Sequence, residues 1–191
     1  MVERTMSIKQ KPQPEEMRVS QIITSARQDP QMFGDLYLLY GQPVFRYLYS
    51  RMGSVPEAED ATAQTFLAAL ERFPKYRHDG YFASWLFSIA RNKAMDYFRK
   101  RRKETPLEEA EFIPADGNIL QQVIKTERIA ALSKLISTLS EDEQELIRLR
   151  YVAELSFAEI GHLLGQKEDT VKKSLYRLLA RLKVQLEDSH V

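Results

Sequence analysis

From about residue 21 onward, the apolar residues of this chain recur at the helical period and almost never alternate. Phe33, Leu36, Tyr37, Tyr40, Val44 and Tyr47 follow i, i+3, i+4, i+7 spacing, the mark of a helix with one buried stripe. Almost no segment shows the two-residue alternation of a half-buried strand, and no tight-turn signal joins a strand pair. The expected fold is all-α, in two compact lobes. A length of 191 residues suits one large domain or two small ones, and 43% hydrophobic content can fill real cores.

Local punctuation divides the chain. Residues 1 to about 20 are polar, mixed in charge and contain Pro12 and Pro14, which predicts a disordered tail. Gly41-Gln42-Pro43 predicts a break between two helices, because proline suits the first position of a helix and not its middle. A further helix follows Pro56 and ends at Phe73-Pro74. His78-Asp79-Gly80 reads as a turn, and the next helix runs from about Phe82 to Arg101. Residues 105–120 hold four acidic residues, no basic ones, two prolines and a glycine, the composition of a flexible linker. Its charge serves solvation, or it imitates nucleic acid in a basic channel. The first domain is therefore read as 21–104 and the second as 121–188. In the second, Ser140-Glu141-Asp142-Glu143 and Ser156-Phe157-Ala158-Glu159 are capping boxes. Gly165 stands where a helix stops in a left-handed cap, and Glu168-Asp169-Thr170 opens a last helix to about Leu186.

The absence of cysteine excludes disulfides, thiolate metal sites and cysteine catalysis. Three scattered histidines form no metal-ligand spacing, and no carboxylate cluster suits a metal-dependent nuclease. The expectation is a protein that is not an enzyme and needs no cofactor or metal. No apolar run approaches the length of a membrane span, and the N-terminus lacks the apolar core of a signal peptide. A cytoplasmic protein without membrane insertion is expected. With a net charge of only +1, any nucleic-acid surface must come from local segregation of charge.

Two segments show that segregation. In the run YFASWLFSIARNKAMDYFRKRRK, Leu86, Ile89, Ala90, Ala94 and Tyr97 share one face and read as core. Trp85, Ser88, Asn92 and Asp96 line up on another side, and Arg99, Lys100, Arg101, Arg102 and Lys103 follow. An aromatic beside an amide and a cationic cluster suits unstacked bases and their phosphates. A half-buried core tryptophan and a solvated basic helix end explain the same residues. Farther on, residues 156–181 read helix, short turn, helix. Ile160, Leu163 and Leu164 face Val171, Leu175, Leu178 and Leu182, leaving Lys172, Lys173, Tyr176, Arg177 and Arg181 on the opposite face. The second helix of such a pair enters the major groove, where Arg177 can address a guanine while Lys172 and Lys173 meet phosphates. A plain cationic face on a helical hairpin is the alternative.

The segments AEDATAQTFLAAL, SWLFSIARNKAMDYFRKRR, LSEDEQELIRLRYVAELSFAEIGHLLG and DTVKKSLYRLLARL, in this order, resemble bacterial sigma factors of the extracytoplasmic-function (ECF) type. The resemblance covers about residues 21–103 and 121–186. It implies two helical domains, sigma regions 2 and 4, without a region 3 between them. It implies a subunit that directs core RNA polymerase to promoters by −10 and −35 recognition and promoter melting. By resemblance, Glu59, Asp60, Gln64 and Leu67 lie in the polymerase-docking segment. Trp85, Ser88, Asn92 and Asp96, with the loop Gly80–Ala83 before them and Arg99 and Arg101 after, lie where the −10 element is opened and read. Thr170, Lys172, Lys173, Ser174, Tyr176 and Arg177 match the −35 reading helix, and the acidic linker matches a segment threaded towards the polymerase active-site channel. The implied partners are core RNA polymerase, promoter DNA and an anti-sigma factor that clamps both domains. Two places depart from the family pattern: many relatives carry Gln where Ala63 stands, and Gly-Thr-Val-Lys-Ser-Arg where Asp169 to Ser174 stand. Competing readings are a free-standing helix-turn-helix regulator, which binds duplex DNA without polymerase, and a helical protein-interaction module.

Overall fold

The computed structural model describes residues 14–104, 132 and 134–188. The expected linker at 105–120 lies outside the described residues. Among the described residues every regular element is helical. The N-terminal lobe contains α1 (Pro14–Gln28), α2 (Phe33–Met52), α3 (Val55–Arg72) and α4 (Phe82–Glu104). The C-terminal lobe contains α5 (Glu141–Ile147), α6 (Phe157–Leu164) and α7 (Glu168–Asp188), after a helical stretch at 134–137.

Two expectations about the N-terminal lobe are corrected. The disordered tail expected to residue 20 gives way to helix at Pro14. Val19, Ile23 and Ala26 recur on one side of α1 and are buried, so a thin apolar stripe holds an otherwise polar helix onto the lobe. The break expected at Gly41-Gln42-Pro43 does not occur: α2 runs through Pro43 as one helix. A mid-helix proline costs about 3 kcal/mol through its missing N–H and ring clash. Here Leu36 lies before the proline and Val44, Tyr47 and Leu48 after it, all fully buried in one core. Burying side chains of that size is worth roughly 1.5–3 kcal/mol each, which outweighs the proline's penalty.

α2, α3 and α4 pack against one another around Phe66, Phe82, Leu86, Phe87 and Ala90. α2 ends at Gly53, whose φ of 71° gives the left-handed stop, and Pro56 sits in the first turn of α3. In the C-terminal lobe both capping boxes form, with Ser140 and Ser156 each accepting from the backbone three residues on while Glu143 and Glu159 return the bond. Gly165 adopts φ 66° and ends α6, and Ile160 packs with Val171, Leu175, Leu178 and Leu182. Between α5 and α6 lies a π-helical turn, Arg148–Val152, followed by Glu154 at φ 61°.

The two lobes touch. α4 packs on α6, and α2 packs on the π turn. Glu145 of α5, only 5% exposed, accepts from the Tyr47 hydroxyl at 2.6 Å and from Arg51 Nη1 at 2.9 Å, both on α2. Ser84 Oγ at the start of α4 donates to the Glu159 carbonyl of α6 at 2.8 Å.

Candidate nucleic-acid interface

The aromatic platform at the start of α4 rests on the preceding loop. A 3₁₀ turn, Phe73–Lys75, directs Tyr76 inward, and Arg27 of α1 fixes it by donating to the Tyr76 carbonyl at 2.7 Å. Trp85 is half-buried, its ring 4.5 Å from Tyr76 and 5.5 Å from Phe82. The half-buried core reading of the tryptophan therefore holds, with part of the ring left uncovered. Burial pushes the Tyr76 phenol up, so it stays protonated and bonds His78 Nδ1 at 3.1 Å. Burial also pulls His78 down, which favours the neutral ring that accepts this bond. An open groove of about 720 Å³ adjoins the platform, lined by Arg27, Phe33, Phe73, Lys75, Tyr76 and Arg77. The rings that line it are themselves buried, so the groove presents ring edges and three cations, a surface suited to phosphate more than to stacking.

The other α4 residues differ in availability. Ser88 spends its hydroxyl on the Trp85 carbonyl at 2.7 Å, whereas Asn92 is exposed. Asp96 pairs with Arg99 at 2.8 Å on the surface. Arg99, Lys100, Arg101 and Arg102 are exposed, and Arg101 Nη1 lies 3.5 Å from the Tyr97 hydroxyl. Tyr97, expected in the core, is only partly buried against it. Lys93, on the apolar side, is half-buried, as a snorkelling lysine is.

On α3 the residues Glu59, Asp60, Ala63, Gln64 and Leu67 are exposed together, while Thr62, Thr65 and Phe66 turn inward. Gln64 Nε2 donates to Asp60 Oδ2 at 2.6 Å, fixing the amide along the helix. Leu67 is 59% exposed and Leu70 42%, an apolar pair beside an acidic edge. Ala63 and its neighbour Gln64 both stand on this surface.

On α7, Thr170, Lys172, Lys173, Ser174, Tyr176 and Arg177 are exposed, opposite the buried Val171, Leu175 and Leu178. The Tyr176 ring leans on Phe157, 6.1 Å away, and the Arg150 guanidinium lies over the Phe157 ring, 5.0 Å from its centre. Arg181, read from sequence as part of the cationic face, instead pairs with Glu143 at 2.6 Å and ties α7 to α5. This bond, with the Ser140 backbone N–H, holds the Glu143 carboxyl below its usual range. A lowered folded value means the tie is fully present above the ordinary carboxylate range and is lost as pH falls through the lowered value. Glu143→Gln is expected to lower the melting temperature at neutral pH and to reduce its acid dependence; melting curves at pH 7 and pH 4 check this.

Sequence reasoning missed Gly161. A Cβ there would meet the Gln166 carbonyl oxygen at 2.7 Å, so only glycine lets α6 approach the turn. Its spacing within an apolar helix gave no sign of this, since the contact lies across the turn. Also missed was the stacking of Tyr81 on His162, 4.5 Å apart, with His162 Nε2 3.2 Å from Asp79.

Comparison with known proteins agrees with this arrangement. The family description Sigma-70 region 2 matches residues 36–104, and Sigma-70, region 4 matches residues 129–182. The chain is 35% identical over 82% of its length to the ECF RNA polymerase sigma factor BldN of Streptomyces coelicolor, and spans 61% of that relative. It is 30% identical to the ECF RNA polymerase sigma factor SigM of Bacillus subtilis, covering 78% of this chain and 91% of that protein. SigW of Bacillus subtilis is 29% identical, covering 91% of this chain and 99% of its own. The fold matches the sigma factor RpoE of Bartonella quintana, solved with the anti-sigma factor NepR, at a TM-score of 0.64 and 24% identity, over 81% of this chain and 96% of that one. It also matches CnrH, solved with the cytosolic domain of CnrY, at 0.63 and 22% identity, over 87% and 96%. With an exposed cationic α7, an aromatic platform on α4 and both family regions matched in order, the chain belongs to the ECF sigma factors of RNA polymerase.

Proposed function

We propose that this chain directs core RNA polymerase to specific promoters, reading a −35 element with α7 and capturing melted −10 bases on α4. The observation that carries this reading is the pairing of two unlike surfaces on one chain. α7 offers a convex cationic helix face suited to a major groove. The start of α4 offers a half-buried tryptophan on which an unstacked base can lie, next to Tyr76 and the cation-lined groove that Tyr76 borders. A free-standing regulator needs only the first. The α3 face with Leu67, Leu70, Glu59 and Asp60 supplies a polymerase-docking surface: an apolar centre with a charged rim. The chain acts as an initiation factor and not as an enzyme. Among the described residues no helix is long and apolar enough to cross a membrane, and no group of acidic and histidine side chains is placed to hold a metal. Two of the solved structures that this fold matches each contain a binding partner, one of them named an anti-sigma factor, and a partner of that kind is proposed for this chain.

The direct test is run-off transcription with core polymerase from the same source on a genomic fragment library. Protein-dependent start sites sharing two upstream elements are expected. No new starts, with tight duplex binding by the protein alone, would replace this reading with the free-standing regulator. Within it, Arg177→Ala is expected to relax preference at one −35 position by about 1–3 kcal/mol, since a bidentate guanine contact is worth that much. Selection of −35 sequences from a randomised pool checks this; an unchanged profile removes Arg177 from base readout.

A further inference from the structure

We infer that Asp169, in the first turn of α7, is a further base-reading residue: an acceptor that selects cytosine at one position of the −35 element. This rests on the −35 reading proposed above. α7 is seated by the buried Val171, Leu175 and Leu178. At about 100° per residue, Asp169, Lys173 and Tyr176 fall within about 50° of the line opposite that stripe. All three are exposed and follow one another turn by turn, so they form the outermost ridge of the helix. Lys172 stands about 90° from that line, on a flank suited to a phosphate row, and Glu168 lies round towards the core side. A reading helix brings its N-terminal residues to the base edges. Asp169 is the N-terminal end of the ridge.

Charge and hydrogen bonding then decide what it reads. From Thr170 to Val184 every charged residue of α7 is a cation, as a face that meets phosphates requires. A carboxylate set against a phosphate row would repel it. On the ridge, Asp169 points between the two rows, at the bases. An acid in the first turn also complements the helix dipole, but Glu168 supplies that charge without facing the groove. Among the described residues no hydrogen bond or ion pair holds the Asp169 carboxylate, so its acceptor capacity is unspent. An ionised carboxylate only accepts. In the major groove the donors are N4 of cytosine and N6 of adenine, whereas O6 and N7 of guanine and O4 of thymine are acceptors and repel it. Adenine sets the N7 lone pair beside its amino group, while the neighbour of cytosine N4 is a C–H. The carboxylate therefore ranks cytosine first, adenine second, and guanine and thymine last.

The test uses the full chain with core polymerase on promoters randomised through the −35 element, and sequences the transcribed members. The unmodified protein is expected to favour cytosine at one position by about tenfold over guanine or thymine, the scale of a hydrogen bond to a charged group. Asp169→Ala is expected to flatten that position to within about twofold and to leave the others as they were. Asp169→Asn is expected to move the preference from cytosine to adenine, whose N6 and N7 an amide side chain can bond together. A promoter carrying 2-pyrimidinone there, which is cytosine without its amino group, is expected to lose about tenfold with the unmodified protein and nothing with Asp169→Ala. Because the side chain is exposed, both variants are expected to keep the melting temperature. An unchanged cytosine preference in Asp169→Ala overturns the assignment. So does a uniform change across all sequences, which would make Asp169 a helix-end charge only. Failure of the unmodified protein to support any polymerase-dependent start would instead overturn the sigma-factor reading itself.

Discussion

Trp85→Ala is expected to slow open-complex formation about tenfold or more while changing initial promoter binding by no more than about twofold. Stacking of a base on an aromatic side chain is worth roughly 1–3 kcal/mol, and each 1.4 kcal/mol is about a factor of ten. That energy is available only once a base has left the duplex, so its loss falls on melting and spares the duplex-bound state. The packing of Trp85 complicates the substitution: its ring lies on Tyr76 and Phe82, so truncation also loosens the loop. Trp85→Phe separates the two effects, since it keeps an aromatic face and most of the packing. It is expected to retain most of the melting rate. Single-strand binding, potassium permanganate footprinting of melted thymines and a thermal melt together decide the matter. Equal losses in binding and melting, or a loss fully explained by a lower melting temperature, would end the base-capture role for Trp85.

How much could be read from the sequence depended on the range of the forces involved. Both capping boxes and the left-handed Gly165 are local devices, fixed by residues within four positions, and all three stand where the sequence placed them. The apolar stripes of α4, α6 and α7 likewise follow from periodicity alone, although Tyr97 is only partly buried. The failures arise where tertiary packing overrides a local preference. Pro43 argues for a break, yet buried side chains on both sides keep α2 continuous. α1 looks like a polar tail because its buried stripe is as thin as Val19, Ile23 and Ala26. Glu145 resembled any acidic residue near a helix start, and its partner Tyr47 stands 98 positions away, beyond the reach of a motif. The exposed faces of α3, α4 and α7 were legible because each is the polar complement of a buried stripe. That they touch polymerase or DNA is a proposal resting on their chemistry.

Gly161→Ala is expected to lower the melting temperature of the C-terminal lobe far more than Gly165→Ala, although Gly165 is the more conspicuous glycine. At Gly165 the cost is conformational: φ is 66°, nothing lies within 4 Å of an added Cβ, and a left-handed residue costs roughly 1–2 kcal/mol. At Gly161 the obstacle is backbone. The new Cβ would sit 2.7 Å from the Gln166 oxygen and 3.3 Å from the Glu168 nitrogen, and no side-chain rotation moves either atom. The approach is itself clamped, since Gln166 N donates to the Gly161 carbonyl at 2.8 Å. Relief requires α7 to move away from α6, which opens the core around Ile160 and Val171. Overpacking typically costs about 1–3 kcal/mol, and separating two helices of so small a lobe adds the loss of its core. Because α7 carries the proposed −35 face, its displacement is expected to abolish −35 discrimination while single-strand binding by the N-terminal lobe persists. Calorimetry of both variants, beside duplex and single-strand binding, gives the comparison. Equal destabilisation by the two substitutions would mean that α6 and the turn are not in the close contact on which the geometry of the reading helix depends.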